Sequence, residues 1–146
     1  MAHDVEYEIT RMLRRSRARS LRTVAEIHAD LEFGNYLLLL AIHDACGTGE
    51  EGVRATELAE TFAVHKSTVS RGLAALEQLA LVERLPDPSD GRARLVRLTP
   101  DAVERVEKVR RRRHEALAAV LEDWDSDDLT ALARLLDRLN NALDQS

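Results

Sequence analysis

Between residues 55 and 99 the spacing of apolar side chains changes period once, and that change leaves few folds open to the chain. Leu58, Ala59 and Phe62 share one face of a helix expected over Ala55 to Phe62. Val69, Leu73, Leu76 and Leu79 share one face of a second, from Lys66 to Leu79. Only Ala63, Val64 and His65 separate them, the short connection of a helix-turn-helix. Ser67 or a neighbour is placed to cap the second helix through its side-chain oxygen. After Leu79 the period falls to two: Leu81, Glu83 and Leu85 alternate with Val82 and Arg84, and residues 95–99 alternate again. These are expected strands. The stretch Pro86-Asp-Pro-Ser-Asp-Gly91 joins them, where two prolines and a glycine argue against continued pairing and for a protruding hairpin loop. Helix, short turn, helix and hairpin in that order describe a winged helix-turn-helix.

The flanks read as helices. Val5, Ile9, Leu13, Val24, Ile27 and Leu31 recur at helical spacing, which predicts a long first helix from about Asp4 to Ala29. Its middle, Arg14 to Ser20, lacks large apolar residues, so that stretch is solvated or lies against something anionic. Tyr36, Leu37, Leu39, Leu40 and Ile42 are nearly continuous, as in a helix buried on most sides, and Gly47-Thr-Gly-Glu-Glu-Gly52 ends it. Thr99-Pro100 marks another start, with Thr as cap and Pro where its missing N–H costs nothing. That helix is expected to run to about Glu122. Ser126, followed by Asp127 and Asp128, begins the last one, along which Leu129, Leu132, Leu136, Leu139 and Leu143 form a narrow seam suited to helix packing. The fold class is therefore mainly α with a small two- or three-stranded antiparallel wing.

A chain of 146 residues fits one domain, and aromatics at 3% leave its core to aliphatic side chains on helices. A net charge of −5 argues at face value against nucleic acid, since phosphate contacts need clustered cations. The average hides a segregation: arginines crowd into 12–22, 84–97 and Arg110 to Arg113, and acids into Glu122 to Asp128. The single Cys46 excludes an intrachain disulfide framework, and the N-terminus shows no signal-peptide pattern, so a cytoplasmic protein is expected. The longest apolar run, Tyr36 to Ile42, falls far short of the ~20 residues of a membrane span, and no membrane association is assigned. A glycine-rich phosphate loop, HExxH, a nucleophile elbow and paired carboxylates in a cleft are all missing from the sequence, so neither an enzyme, a cofactor nor a metal site is assigned.

Thr56-Glu-Leu-Ala59, Ser67-Thr-Val-Ser-Arg71, Leu81-Val-Glu-Arg84, and Asp90-Gly-Arg92 leading to Leu98-Thr99 form a set of motifs through which residues 53–99 resemble the MarR family of bacterial transcription regulators. Three positions depart from the pattern. Arg54 stands where the family usually caps a helix with Ser or Thr, Ala80 replaces a frequent helix-ending Gly, and the first helix is unusually rich in Arg. The resemblance implies one domain over 1–146, with a DNA-binding lobe at 32–99 and dimerisation helices at 4–31 and 100–144. It further implies a homodimer on a palindromic operator, acting as a repressor released by a small-molecule effector held between the dimer helices and the lobe.

A helix fits the major groove, and small polar side chains in its N-terminal half can approach base edges and phosphates. Lys66, Ser67, Thr68, Ser70 and Arg71 occupy that half. Arg71 is the strongest candidate for base readout, because a guanidinium can bind guanine O6 and N7 together. At the hairpin tip Arg92 can enter a narrow minor groove, and Asp90 can hold the loop or orient it. For Arg94 and Arg97 phosphate contact and simple exposure stay equally open. Other readings remain: Arg71 pairing with an acid, zinc sensing through His43 and Cys46 with His28 or His114, a redox switch at Cys46, or an architectural DNA binder. Cys46 lies in apolar surroundings, which suits an inert thiol.

Overall fold

The computed structural model describes residues 4–46, 51–62 and 64–145. In chain order its elements are α1 (Val5–Ile27), α2 (Phe33–Cys46), β1 (Val53–Arg54), α3 (Ala55–Phe62), α4 (Lys66–Gln78), β2 (Val82–Asp87), β3 (Asp90–Leu98), α5 (Pro100–Leu121) and α6 (Ser126–Leu143). They divide into two compact units, Met1–Val109 and Arg110–Ser146. The architecture is mainly helical, with one antiparallel sheet in the order β1-β3-β2. Most of the Gly47-to-Gly52 stretch expected to end α2, and Ala63 of the expected three-residue turn, lie outside the described residues.

In the first unit one apolar cluster joins every element. Ile27 of α1, Leu39 and Ile42 of α2, Leu58 of α3, Leu73 and Leu76 of α4, Val96 of β3 and Val106 of α5 are all buried. Each such side chain contributes roughly 1.5–3 kcal/mol relative to exposure. Helices α2 and α4 approach closely at Gly72, where an added Cβ would stand 2.7 Å from Leu38 Cδ2 and 3.1 Å from Asn35 Oδ1. That contact fixes the rotation of α4 about its own axis.

Four details differ from what the sequence predicts. The hairpin is longer: pairing runs to Pro86↔Arg94 and, after a register shift between Pro86 and Asp87, resumes at Asp87↔Asp90, so most of the expected loop is strand. β2 lies at the sheet edge, the position that tolerates a proline without a donor. Helix α4 begins at Lys66 as expected, but its cap residue is His65 and the side-chain capping bond expected from Ser67 or a neighbour is not made. Instead the His65 carbonyl accepts from the amides of Thr68 and Val69, at 3.0 and 3.3 Å. At α6 the cap is Asp125, whose carboxylate accepts from the Asp127 amide at 3.0 Å, and Ser126 is already helical. Helix α1 stops at Ile27, because His28 turns extended and its Nδ1 accepts from the Asp30 amide. Thr99 caps α5 as expected, accepting from the Ala102 amide at 3.3 Å.

The second unit holds the C-terminal part of α5 and all of α6. None of its described residues is buried, and Leu132, Leu135, Leu136 and Leu139 are 37–50% exposed. The leucine seam of α6 is thus formed but bare. Among the described residues no helix is long and apolar enough to cross a membrane.

The junction between α4 and β2 carries local strain. Ala80 has φ 56, a left-handed conformation that a Cβ disfavours. The surroundings impose it: its amide donates to the Glu77 carbonyl, its carbonyl accepts from Thr99 Oγ1 at 2.8 Å, and the Leu81 amide donates to Leu76 O. Replacing Ala80 with Gly should therefore raise stability by about 0.5–1 kcal/mol in denaturant titration; an unchanged or lower midpoint would contradict the strain.

Candidate nucleic-acid interface

One face of α4 is consumed by packing, and the other is left polar. Val69, Gly72, Leu73 and Leu76 turn inward, whereas Lys66, Ser67, Thr68, Ser70 and Arg71 are exposed. The helix also lacks an acid in its first turn, unlike α1, α3, α5 and α6. Its N-terminus therefore keeps uncancelled positive potential and free backbone N–H groups, the arrangement that favours a phosphate.

The cations of this lobe sort into two groups. Arg84 pairs with Glu77 at 3.1 Å and Arg97 with Glu83 at 2.7 Å. Lys66, Arg71, Arg92 and Arg94 are exposed and form no ion pair among the described residues. For Arg71, pairing with a nearby acid is thus not what the structure holds. Arg97 is drawn into the sheet. At the hairpin tip Asp90 Oδ1 accepts from the Arg92 backbone amide at 3.0 Å, which shapes the turn and leaves the guanidinium outward.

Beneath that tip lies a cluster that reading the sequence missed. Asp87 is 5% exposed, and its Oδ1 accepts from the Ser89 amide at 2.9 Å and from Ser89 Oγ at 2.7 Å. Its Oδ2 accepts from Arg54 Nε at 2.8 Å. The Asp-Pro-Ser spacing was a legible turn signal; the partner, 33 residues earlier, was not.

The residues weighed for metal or redox chemistry are dispersed. His43 is buried in α2, and its Nε2 meets Glu107 of α5. Cys46 Sγ faces the Val96 carbonyl at 3.8 Å, and burial pushes its thiol pKa up against a smaller opposing effect of Arg97. That disfavours thiolate. Among the described residues no three His, Cys, Asp or Glu side chains gather as a metal site.

The MarR family model matches residues 29–93. A relative from Bacillus subtilis strain 168, described as the uncharacterized HTH-type transcriptional regulator YxaD, is 36% identical over 138 residues, 94% of this chain and 92% of its own. Among solved structures, a mutant of MepR from a multidrug resistant S. aureus clinical isolate is similar with a TM-score of 0.74 at 17% identity, covering 98% of this chain and 99% of that one. RV1404 from Mycobacterium tuberculosis reaches the same TM-score at 23% identity, covering 97% and 96%.

Asp87 makes the wing sensitive to acid. The hydrogen bonds from the Ser89 hydroxyl and amide, helped by Arg54, lower its pKa from the ordinary 3.8 to about 2. A lowered folded-state pKa means that its stabilisation is fully present above 3.8 and is lost as the pH falls through about 2. The stability difference between wild type and Asp87→Asn should accordingly be constant at neutral pH and shrink from pH 4 towards pH 2. A gap independent of pH over that window would contradict the assignment.

Proposed function

The chain belongs to the MarR family of winged helix-turn-helix transcription regulators, and on that premise we propose that it is a ligand-responsive repressor that binds a palindromic operator in double-stranded DNA as a homodimer in the cytoplasm. The single observation that carries the DNA reading is the division of α4 into a packed face and an exposed face of Lys66, Ser67, Thr68, Ser70 and Arg71. Arg71 reads a base edge in the major groove; Lys66 and the hydroxyls hold phosphates. Arg92 and Arg94 extend the footprint from the wing, with Asp90 shaping the turn that presents Arg92.

The homodimer rests on apolar surface without a covering partner in a single chain. Val5, Met12 and Leu13 on α1 are 55–69% exposed, and Leu117 on α5 and Leu136 on α6 are 58% and 40% exposed. Helices with such faces find a partner or aggregate, and a second copy with the same seams is the occupant that also duplicates α4. Dimerisation over 4–31 and 100–144 then leaves 32–99 to the DNA. Two recognition helices would meet successive major grooves about 34 Å apart. An effector relieves repression only by binding the DNA-incompetent spacing more tightly than the competent one.

Two substitutions test the roles separately. Arg71→Ala should weaken binding to the gene's own upstream region by about 1–3 kcal/mol and flatten the preference over scrambled sequence; unchanged preference refutes base readout. Arg92→Ala should lower the slope of log affinity against log salt by about one unit at every sequence. An unaltered slope counts against contact by the wing.

A further inference from the structure

We propose that Arg54 is the positioning residue of the wing: by reaching across β3 to Asp87 and Ser89 it braces the hairpin tip and so sets where Arg92 meets the duplex. The proposal rests on the DNA-binding reading above and adds a residue that reading does not use. Strand β1 is two residues long and ends with Arg54 opposite Leu95. The hairpin continues beyond it, to Pro86↔Arg94 and, past a register shift between Pro86 and Asp87, to Asp87↔Asp90, with β1 pairing no further. A two-stranded ribbon without a third strand is only marginally ordered. The Arg54 side chain supplies from the β1 side what the backbone ladder no longer does.

The geometry suits a brace. Arg54 Nε donates to Asp87 Oδ2 at 2.8 Å, and Nη2 donates to Ser89 Oγ at 3.3 Å. The other Asp87 oxygen closes the turn on the Ser89 amide and hydroxyl. One carboxylate thus ties the turn to itself with one oxygen and to the base of the wing with the other. Holding two acceptors at once needs a planar fork, which lysine lacks. At its other end Arg54 is anchored to α3, because its backbone amide donates to Glu57 Oε2 at 3.3 Å. The contacts therefore run from the first turn of α3 through Arg54 and Asp87 to the turn that precedes Asp90 and Arg92. The brace also accounts for an otherwise awkward charge, since a carboxylate near a hairpin that meets phosphate repels it unless neutralised.

The sign of one effect separates a brace from simple electrostatics. Asp87→Asn removes a negative charge beside the interface, and on charge alone it should tighten DNA binding. The brace predicts the reverse: Asp87→Asn and Arg54→Ala each weaken binding to a fluorescent duplex of the gene's upstream region by about 3- to 10-fold, and each lowers the salt slope by about one. The double variant should be no weaker than either single one, and Arg54→Lys should be intermediate. In the DNA-free protein, trypsin should cut after Arg92 and Arg94 about tenfold faster in both single variants, with the thermal transition retained. Asp87→Asn binding as tightly as wild type or tighter, losses that add, or unchanged cutting at the wing would each overturn the brace. If the wild type shows no salt-dependent binding to any duplex, the DNA reading falls, and the trypsin rates still decide whether Arg54 holds the hairpin.

Discussion

The close approach of α4 to α2 at Gly72 is the constraint from which the rest of the lobe follows. With Leu38 Cδ2 and Asn35 Oδ1 occupying the space where a side chain would stand, α4 has one rotational setting. Val69, Leu73 and Leu76 are then fixed inward, and Lys66, Ser67, Thr68, Ser70 and Arg71 are turned out as a consequence. The exposed polar face is thus what remains of α4 after the core has taken its share. The Leu81 and Thr99 contacts at the end of α4 carry the same setting into the sheet, and the left-handed Ala80 is where the chain bends to allow it.

What could be read from the sequence was whatever repeats locally. The change from period 3.6 to period 2 near Leu79 placed both helices of the motif and the hairpin, because each face must meet the core at the spacing its backbone dictates. Thr99-Pro100 was legible for the same local reason. Long-range pairing was not. Arg54 reads as a missing helix cap until the fold brings Asp87 to it, and Pro86 reads as a strand breaker unless its strand is known to lie at an edge. The start of α4 at Lys66 was legible but its cap was not, because backbone bonds to the His65 carbonyl replace a side-chain cap, and no residue type announces that choice.

The leucines of α6 show a different limit. Their spacing forecast a packing seam, and the helix forms with the seam on one side, yet none of those side chains is buried within the chain. A pattern can specify that a face will be covered without specifying by what. The apolar residues left open on α1 and α5 pose the same demand, which the homodimer proposed above would meet with a second copy of the chain. In that proposal duplication would also extend the interface, since one short helix and one hairpin present few cations, while two sets of them would share one ordering cost on a single duplex.

Hydroxyl-radical footprinting of the protein on its gene's upstream region tests this account most directly. Two protected patches of equal extent, on one face of the duplex and centred about one helical turn apart around a dyad, are the predicted result. A single asymmetric patch, or uniform protection that spreads with protein concentration, would contradict it.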